Sequence, residues 1–191
     1  MPLTPIASAL HAPLVSHDQT LVFSGVQGIE TMPLGGTRRT RIEESTPAPW
    51  YAPAVNDHGV FWVELHNGKE EIHWMPHQGG SSETLAAGSK PLRHVAADGD
   101  YVAWMSDTSV FIRDLSTGLT AEQSGRFHSN QSLAISGSLV CFESLNEEDI
   151  DIFCSNGFHL QRPGHQRNPS IWKDWLVFHE GDQALLYGPI K

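Results

Sequence analysis

Two groups of side chains in this 191-residue sequence carry groups suited to recognition or catalysis. One is rich in donors and aromatic rings: His11, Trp50 and Tyr51, Arg93, the run from His128 to Gln131, and the run from His165 to Asn168. Arginine closes a planar fork on carboxylate, phosphate or vicinal hydroxyls, and Trp and Tyr offer flat apolar faces with a polar tip. His11, Trp50, Tyr51, Arg93, Gln131 and Arg167 are therefore the expected ligand-binding set. The other group is acidic, namely Glu64, Asp107, Glu143 and Glu180, with His66 and His179 near them in the chain. Carboxylates about 5 to 10 Å apart across a substrate can perform acid–base hydrolysis, which makes Glu143, Glu180 and His179 the catalytic candidates. Three imidazoles, His11, His128 and His165, are the candidate ligands for zinc or another divalent ion with an open position. No H-x-H, H-E-x-x-H, C-x-x-C, G-x-S-x-G, P-loop or G-x-G-x-x-G motif occurs. Serine hydrolase, nucleotide and dinucleotide chemistry is unsupported, and no cofactor is expected apart from the metal alternative.

The elements that position these residues recur along the chain. A short apolar strand, a polar turn and a second strand ending in a large aromatic appear five times, with the aromatics at Phe23, Trp62, Trp104, Phe142 and Phe178. Their spacing of about 39 residues lies in the range of propeller and solenoid repeats, and five units fill the chain. Each unit continues into a third strand of period-2 alternation, such as Ile72-His73-Trp74 or Ile150-Asp151-Ile152, and then a glycine turn. Four units add a more polar fourth strand: Thr40–Glu43, Glu83–Ala86, Leu119–Glu122 and Phe158–Gln161. The fifth stops before one, and Leu3–Ser8 at the other end has the missing strand's character. The reading is all-β: a five-bladed β-propeller of four-stranded blades spanning residues 1–191 as one domain, closed by the N-terminal strand joining the last blade. With that strand order the donor-rich segments meet at one mouth of the channel.

Charge and composition narrow the partners. Twelve Lys and Arg against 22 Asp and Glu give a net charge of −10, which argues against a nucleic-acid backbone or an anionic membrane as partner. No apolar run approaches the ~20 residues of a membrane-spanning helix. The start, Met1-Pro2-Leu3-Thr4-Pro5, has no secretory pattern, and with only two cysteines a reducing cytoplasm is expected. Cys141 and Cys154 fall on adjacent strands of one hairpin and read as buried thiols. The run Asn146–Asp151 reads as a solvated turn, since it lacks the glycine of a calcium loop. Arg38, Arg39 and Arg41 on an outer strand discourage edge pairing.

The unit written most clearly in Ala97–Trp104 followed by Ser109–Gly118 resembles the TolB-type β-propeller repeat, over nearly the whole chain. Asp98-Gly99 and Asp57-His58-Gly59 keep its turn; Ser136-Gly137-Ser138 and Lys173-Asp174-Trp175 vary it. The resemblance implies a propeller and a binding or scaffolding role with no single shared activity. The expected function is binding of a small polar or anionic molecule, or a protein segment, at the channel mouth. The alternatives are a small hydrolase or lyase using the channel histidines, assisted by a metal, and a sugar-binding lectin. The lectin is disfavoured because Trp50-Tyr51 recurs in no other copy.

Overall fold

The computed structural model describes residues 14–25, 28–36, 38–43, 52–77, 80–127, 132–146, 149–181 and 183–190. The expected N-terminal closing strand, Leu3–Ser8, lies outside them, as do the candidates His11, Trp50, Tyr51, His128 and Gln131. Among the described residues there are nineteen strands and no helix. The first sheet comprises β1 (Leu14–His17), β2 (Thr20–Gly25), β3 (Gly28–Pro33) and β4 (Thr40–Glu43). The second comprises β5 (Ala54–Val55), β6 (Gly59–His66), β7 (Lys69–Pro76) and β8 (Glu83–Ala86). The third follows with β9 (Leu92–Asp98), β10 (Tyr101–Ser106), β11 (Ser109–Asp114) and β12 (Thr120–Ser124). In the fourth are β13 (Leu133–Ser136), β14 (Leu139–Asn146), β15 (Asp149–Cys154) and β16 (His159–Leu160). The last has three strands, β17 (Gln166–Trp172), β18 (Trp175–Glu180) and β19 (Gln183–Tyr187). Each sheet is an antiparallel meander in chain order, so every repeat forms one sheet.

Turn residues explain the tight hairpins. Asn67 and Gly68 join β6 to β7 with φ of 51° and 75°, the double positive φ that a two-residue type I′ turn requires and that Asn-Gly supplies at least cost. Gly59 is needed for another reason: any Cβ there would run into the carbonyl of Met75.

The second strand of each of the first four repeats is a continuous apolar run because both its faces are covered. On β6, Val60 and Trp62 pack with Val22, Ile29 and Met75 toward the first sheet, while Phe61 and Val63 pack with Leu92, Val95, Val102 and Trp104 toward the third. On β10 the division repeats, with Ala103 and Met105 joining Phe127, Val140 and Phe142 of the next seam. Burial of one such aromatic contributes roughly 2–3 kcal/mol, so the seams hold the sheets in sequence. On β18 only one face is used. Leu176 and Phe178 pack toward Cys141 and Ile152, whereas Trp175, Val177 and His179 are exposed.

A second device ties the sheets at their first hairpins. His17 Nε2 donates to Asp57 Oδ1 at 3.1 Å. Asn56 Nδ2 donates to the Gly99 carbonyl at 2.9 Å, the Gly137 N–H donates to Asp98 Oδ2 at 2.7 Å, and the Lys173 N–H donates to Ser136 Oγ at 3.0 Å. His17, Asn56, Asp98 and Ser136 all stand six residues before their repeat's aromatic, and each partner stands five before the next. One polar bond between equivalent positions thus crosses all four seams. The fifth equivalent is Trp172, 69% exposed, which has no carboxylate, amide or hydroxyl for such a bond.

The paired cysteines correct the expectation of buried thiols. Cys141 and Cys154 face each other across β14 and β15 with Cα atoms 4.0 Å apart, and they form a disulfide. Ser155 N–H donates to the Val140 carbonyl in the adjacent pair, so 141 and 154 occupy the close, non-hydrogen-bonded position.

Asn56 tests the ties. It is buried, its Oδ1 accepts the N–H groups of His58 and Gly59, and its Nδ2 crosses to the third sheet. Asn56→Ala leaves these groups unsatisfied and is expected to cost about 2–3 kcal/mol, read as a lowered urea midpoint, whereas an unchanged midpoint would show that the tie adds nothing.

Candidate functional site

The inner strands β9 and β17 share an irregularity that places functional side chains. Between Val95, opposite Trp104, and Arg93, opposite Met105, the residue His94 is extra, with φ of 46°. In β17 the break falls between Arg167, opposite His179, and Ser170, opposite Val177, and Asn168 has φ of 52°. Both left-handed residues stand ten positions before their aromatic, and both follow an arginine. Bulges re-aim neighbouring side chains, and non-glycine residues at positive φ cost of order 1 kcal/mol each, so two equivalent ones mark a position under functional or packing constraint. Arg93 and Arg167 thereby occupy the same level of two inner strands, at the end where the connections between sheets enter.

Their surroundings differ. Arg93 Nη1 pairs with Asp107 Oδ1 at 2.8 Å, and its buried Nε has no hydrogen-bond partner among the described residues. Arg167 is half-buried, and its guanidinium has no ion pair or hydrogen bond among the described residues.

Glu143, a catalytic candidate, lies beside Arg167's strand. Its side chain is 1% exposed on the face of β14 that looks toward β17. Oε1 accepts from Ser132 Oγ at 2.7 Å and from the bulged Asn168 N–H at 2.6 Å, while Oε2 is buried without a partner. One carboxylate therefore holds the left-handed turn of β17 and keeps a second oxygen bare. The equivalent positions carry Ser24, Val63, Met105 and His179, so a charge here is peculiar to this seam. Glu64 is also buried, its Oε2 accepting the Trp62 indole N–H at 2.7 Å.

The three catalytic candidates are brought to one region. His179 is opposite Arg167 and Glu180 is opposite Gln166, while Glu143 bonds to Asn168. Glu180 is engaged with Arg162 at 3.3 Å. Gln166 is fully buried, donating from Nε2 to the carbonyls of Arg162 and Gly164 and leaving Oε1 without a partner. Of the proposed metal ligands only His165 is described: its Nδ1 accepts the Ile150 N–H at 3.1 Å, which leaves Nε2 for other contacts.

Asp151 was missed by the reading of Asn146–Asp151 as a solvated turn. Its carboxylate is buried, accepting from Asn146 Nδ2 at 2.9 Å and meeting His159 Nε2 at 3.1 Å, with that imidazole stacked on Phe153. Strand alternation was a usable signal, since Ile150-Asp151-Ile152 puts Asp151 on a ladder position with both neighbours apolar. The burial of both faces hides it from a rule that assigns polar residues to solvent.

With this geometry in view, comparison with known proteins speaks to the fold. No protein-family model matches the chain, and no curated protein does. Among solved structures it is similar to a chain of a nidogen/laminin complex, with a TM-score of 0.64 at 11% identity over 90% of this chain and 72% of the other. TolB from Acinetobacter baumannii gives a TM-score of 0.64 at 16% identity, covering 91% of this chain and 51% of TolB. BamB from Moraxella catarrhalis gives 0.55 at 16% identity, covering 93% and 60%. The chain has a TolB-type, propeller-like fold, and it spans only about half the length of that TolB.

Glu143 separates a hydrogen-bonding role from simple space filling. Glu143→Ala is expected to cost about 2–4 kcal/mol in urea unfolding because Ser132 and the Asn168 N–H lose their acceptor. Glu143→Gln keeps an acceptor oxygen and is expected to lose at least about 1 kcal/mol less. Equal losses would assign the site to packing alone.

Proposed function

We propose that this chain is a five-bladed β-propeller, one domain, that binds a small polar or anionic molecule, or an acidic protein segment, at the channel end marked by Arg93 and Arg167. The observation that carries the reading is the repeated arginine and bulge on two inner strands, with the guanidinium of Arg167 half-buried and without a counter-ion among the described residues. A cation in that state gains most from a ligand oxygen pair, which its fork accepts side-on. His11, Trp50, Tyr51 and Gln131 complete the proposed ring by their equivalent places in the repeat. In this reading Glu143 is a positioning residue, since it fixes the Asn168 turn that follows Arg167.

Ring closure by Leu3–Ser8 is part of the same proposal. Val177 is 38% exposed, although its counterparts Phe61, Ala103 and Cys141 are buried against a following sheet. That uncovered face, beside a sheet of three strands, is what a closing strand and the first sheet would cover.

Both parts are testable. Ligand-observed NMR with inorganic phosphate, citrate and glucuronate is expected to detect binding. Arg167→Ala is expected to weaken it about tenfold or more, the loss of a charged hydrogen bond, with the thermal midpoint little changed. Undiminished affinity in that variant would remove the assignment. Deletion of residues 1–9 is expected to lower the thermal midpoint by several degrees, and a midpoint equal to that of the full chain would contradict closure by this strand.

A further inference from the structure

We infer that the cleft between the first and second sheets, at the opposite end of the molecule from Arg93 and Arg167, binds an organic ammonium ion with an apolar body. This inference does not rest on the ligand proposed above. The cleft encloses about 560 Å³, within the ~300–1,000 Å³ typical of small-molecule sites. Val22, Val55, Val60, Ile42 and Met75 make its walls apolar, and they belong to the seam core described above. Its rim is built from turns: His17 and Asp18 where β1 meets β2, Asp57 where β5 meets β6, and His77 after β7.

The rim chemistry has one polarity. His77 Nε2 lies 2.6 Å from the Asn56 carbonyl oxygen. A carbonyl only accepts, so Nε2 carries a proton and donates it. His17 turns Nε2 to Asp57 in the same sense. The two imidazoles lie parallel, 6° apart in plane with centroids 5.6 Å apart. The carboxylates of Asp18 and Asp57 are 92% and 79% exposed, and among the described residues no Lys or Arg lines the cleft. Such a rim offers acceptors and negative charge, which attract an ammonium group and repel an anion, and the net charge of −10 acts in the same direction. The apolar walls favour an aryl or alkyl body behind it. A divalent ion fits less well, because among the described residues no three metal-ligating side chains converge.

Isothermal titration calorimetry on the full chain with phenethylamine and, in parallel, 3-phenylpropionate tests the inference, since the two share a body and differ in charge. Phenethylamine is expected to bind, and 3-phenylpropionate to bind at least tenfold more weakly. Asp18→Asn, at an exposed side chain whose carboxylate lies 3.8 Å from His17 Nε2, is expected to weaken amine binding at least threefold, with circular dichroism and an unchanged thermal midpoint confirming the fold. Asp18→Asn combined with Asp57→Asn is expected to weaken it at least tenfold. Equal binding of the two compounds, no binding of the amine, unchanged affinity in both variants, or stoichiometric displacement of the amine by zinc chloride would overturn the inference.

Discussion

The structure depends on one constraint: each sheet must be held at a fixed angle to the next by its inner hairpin. Apolar packing between sheets is non-directional and would tolerate sliding. The polar bond from His17, Asn56, Asp98 or Ser136 to the following hairpin is directional, and it recurs at the same register in every seam between described sheets. It fixes the turns at one end of the molecule, and the inner strands leaving those turns then reach equivalent heights at the other end. Arg93 and Arg167 stand at one level for that reason. The bonding groups differ at every seam, an imidazole, an amide, a carboxylate and a hydroxyl, so the position is preserved while the chemistry is not.

The two ends of the molecule consequently face solvent with different charge. At the end where chain connections enter, two inner strands bulge after an arginine, and the buried Glu143 holds the N–H of the residue after Arg167. Where the hairpins turn, the first seam opens into a cleft edged by aspartate and histidine. In a chain of net charge −10 the acidic end needs no special arrangement, whereas half-buried cations at the other end oppose the overall field. Glu143 uses only one of its oxygens internally, for Ser132 and the Asn168 N–H.

The last described sheet differs from the four before it. Every second strand from the first to the fourth sheet is covered on both faces, whereas β18 leaves Trp175, Val177 and His179 exposed. Trp172, at the place of the inter-sheet tie, is exposed as well. An uncovered apolar face of this size is the signature of a surface that meets another element.

The sequence alone determined the strands and their grouping. They follow from short apolar runs, from period-2 alternation in the third strands and from turn residues between them, signals that act over a few residues. The Thr40–Glu43 and Glu83–Ala86 strands even keep their expected limits. Only the tertiary structure decided which polar groups are buried and what they touch. The burial of Glu143 and Asp151 is set by their partners, Asn168 from another sheet and His159 from a neighbouring strand in register. The Cys141–Cys154 bridge was likewise decided by which cross-strand pair comes closest. The seam ties and the first-seam cleft depend on contacts between residues about 40 positions apart, and no local pattern of side chains records them.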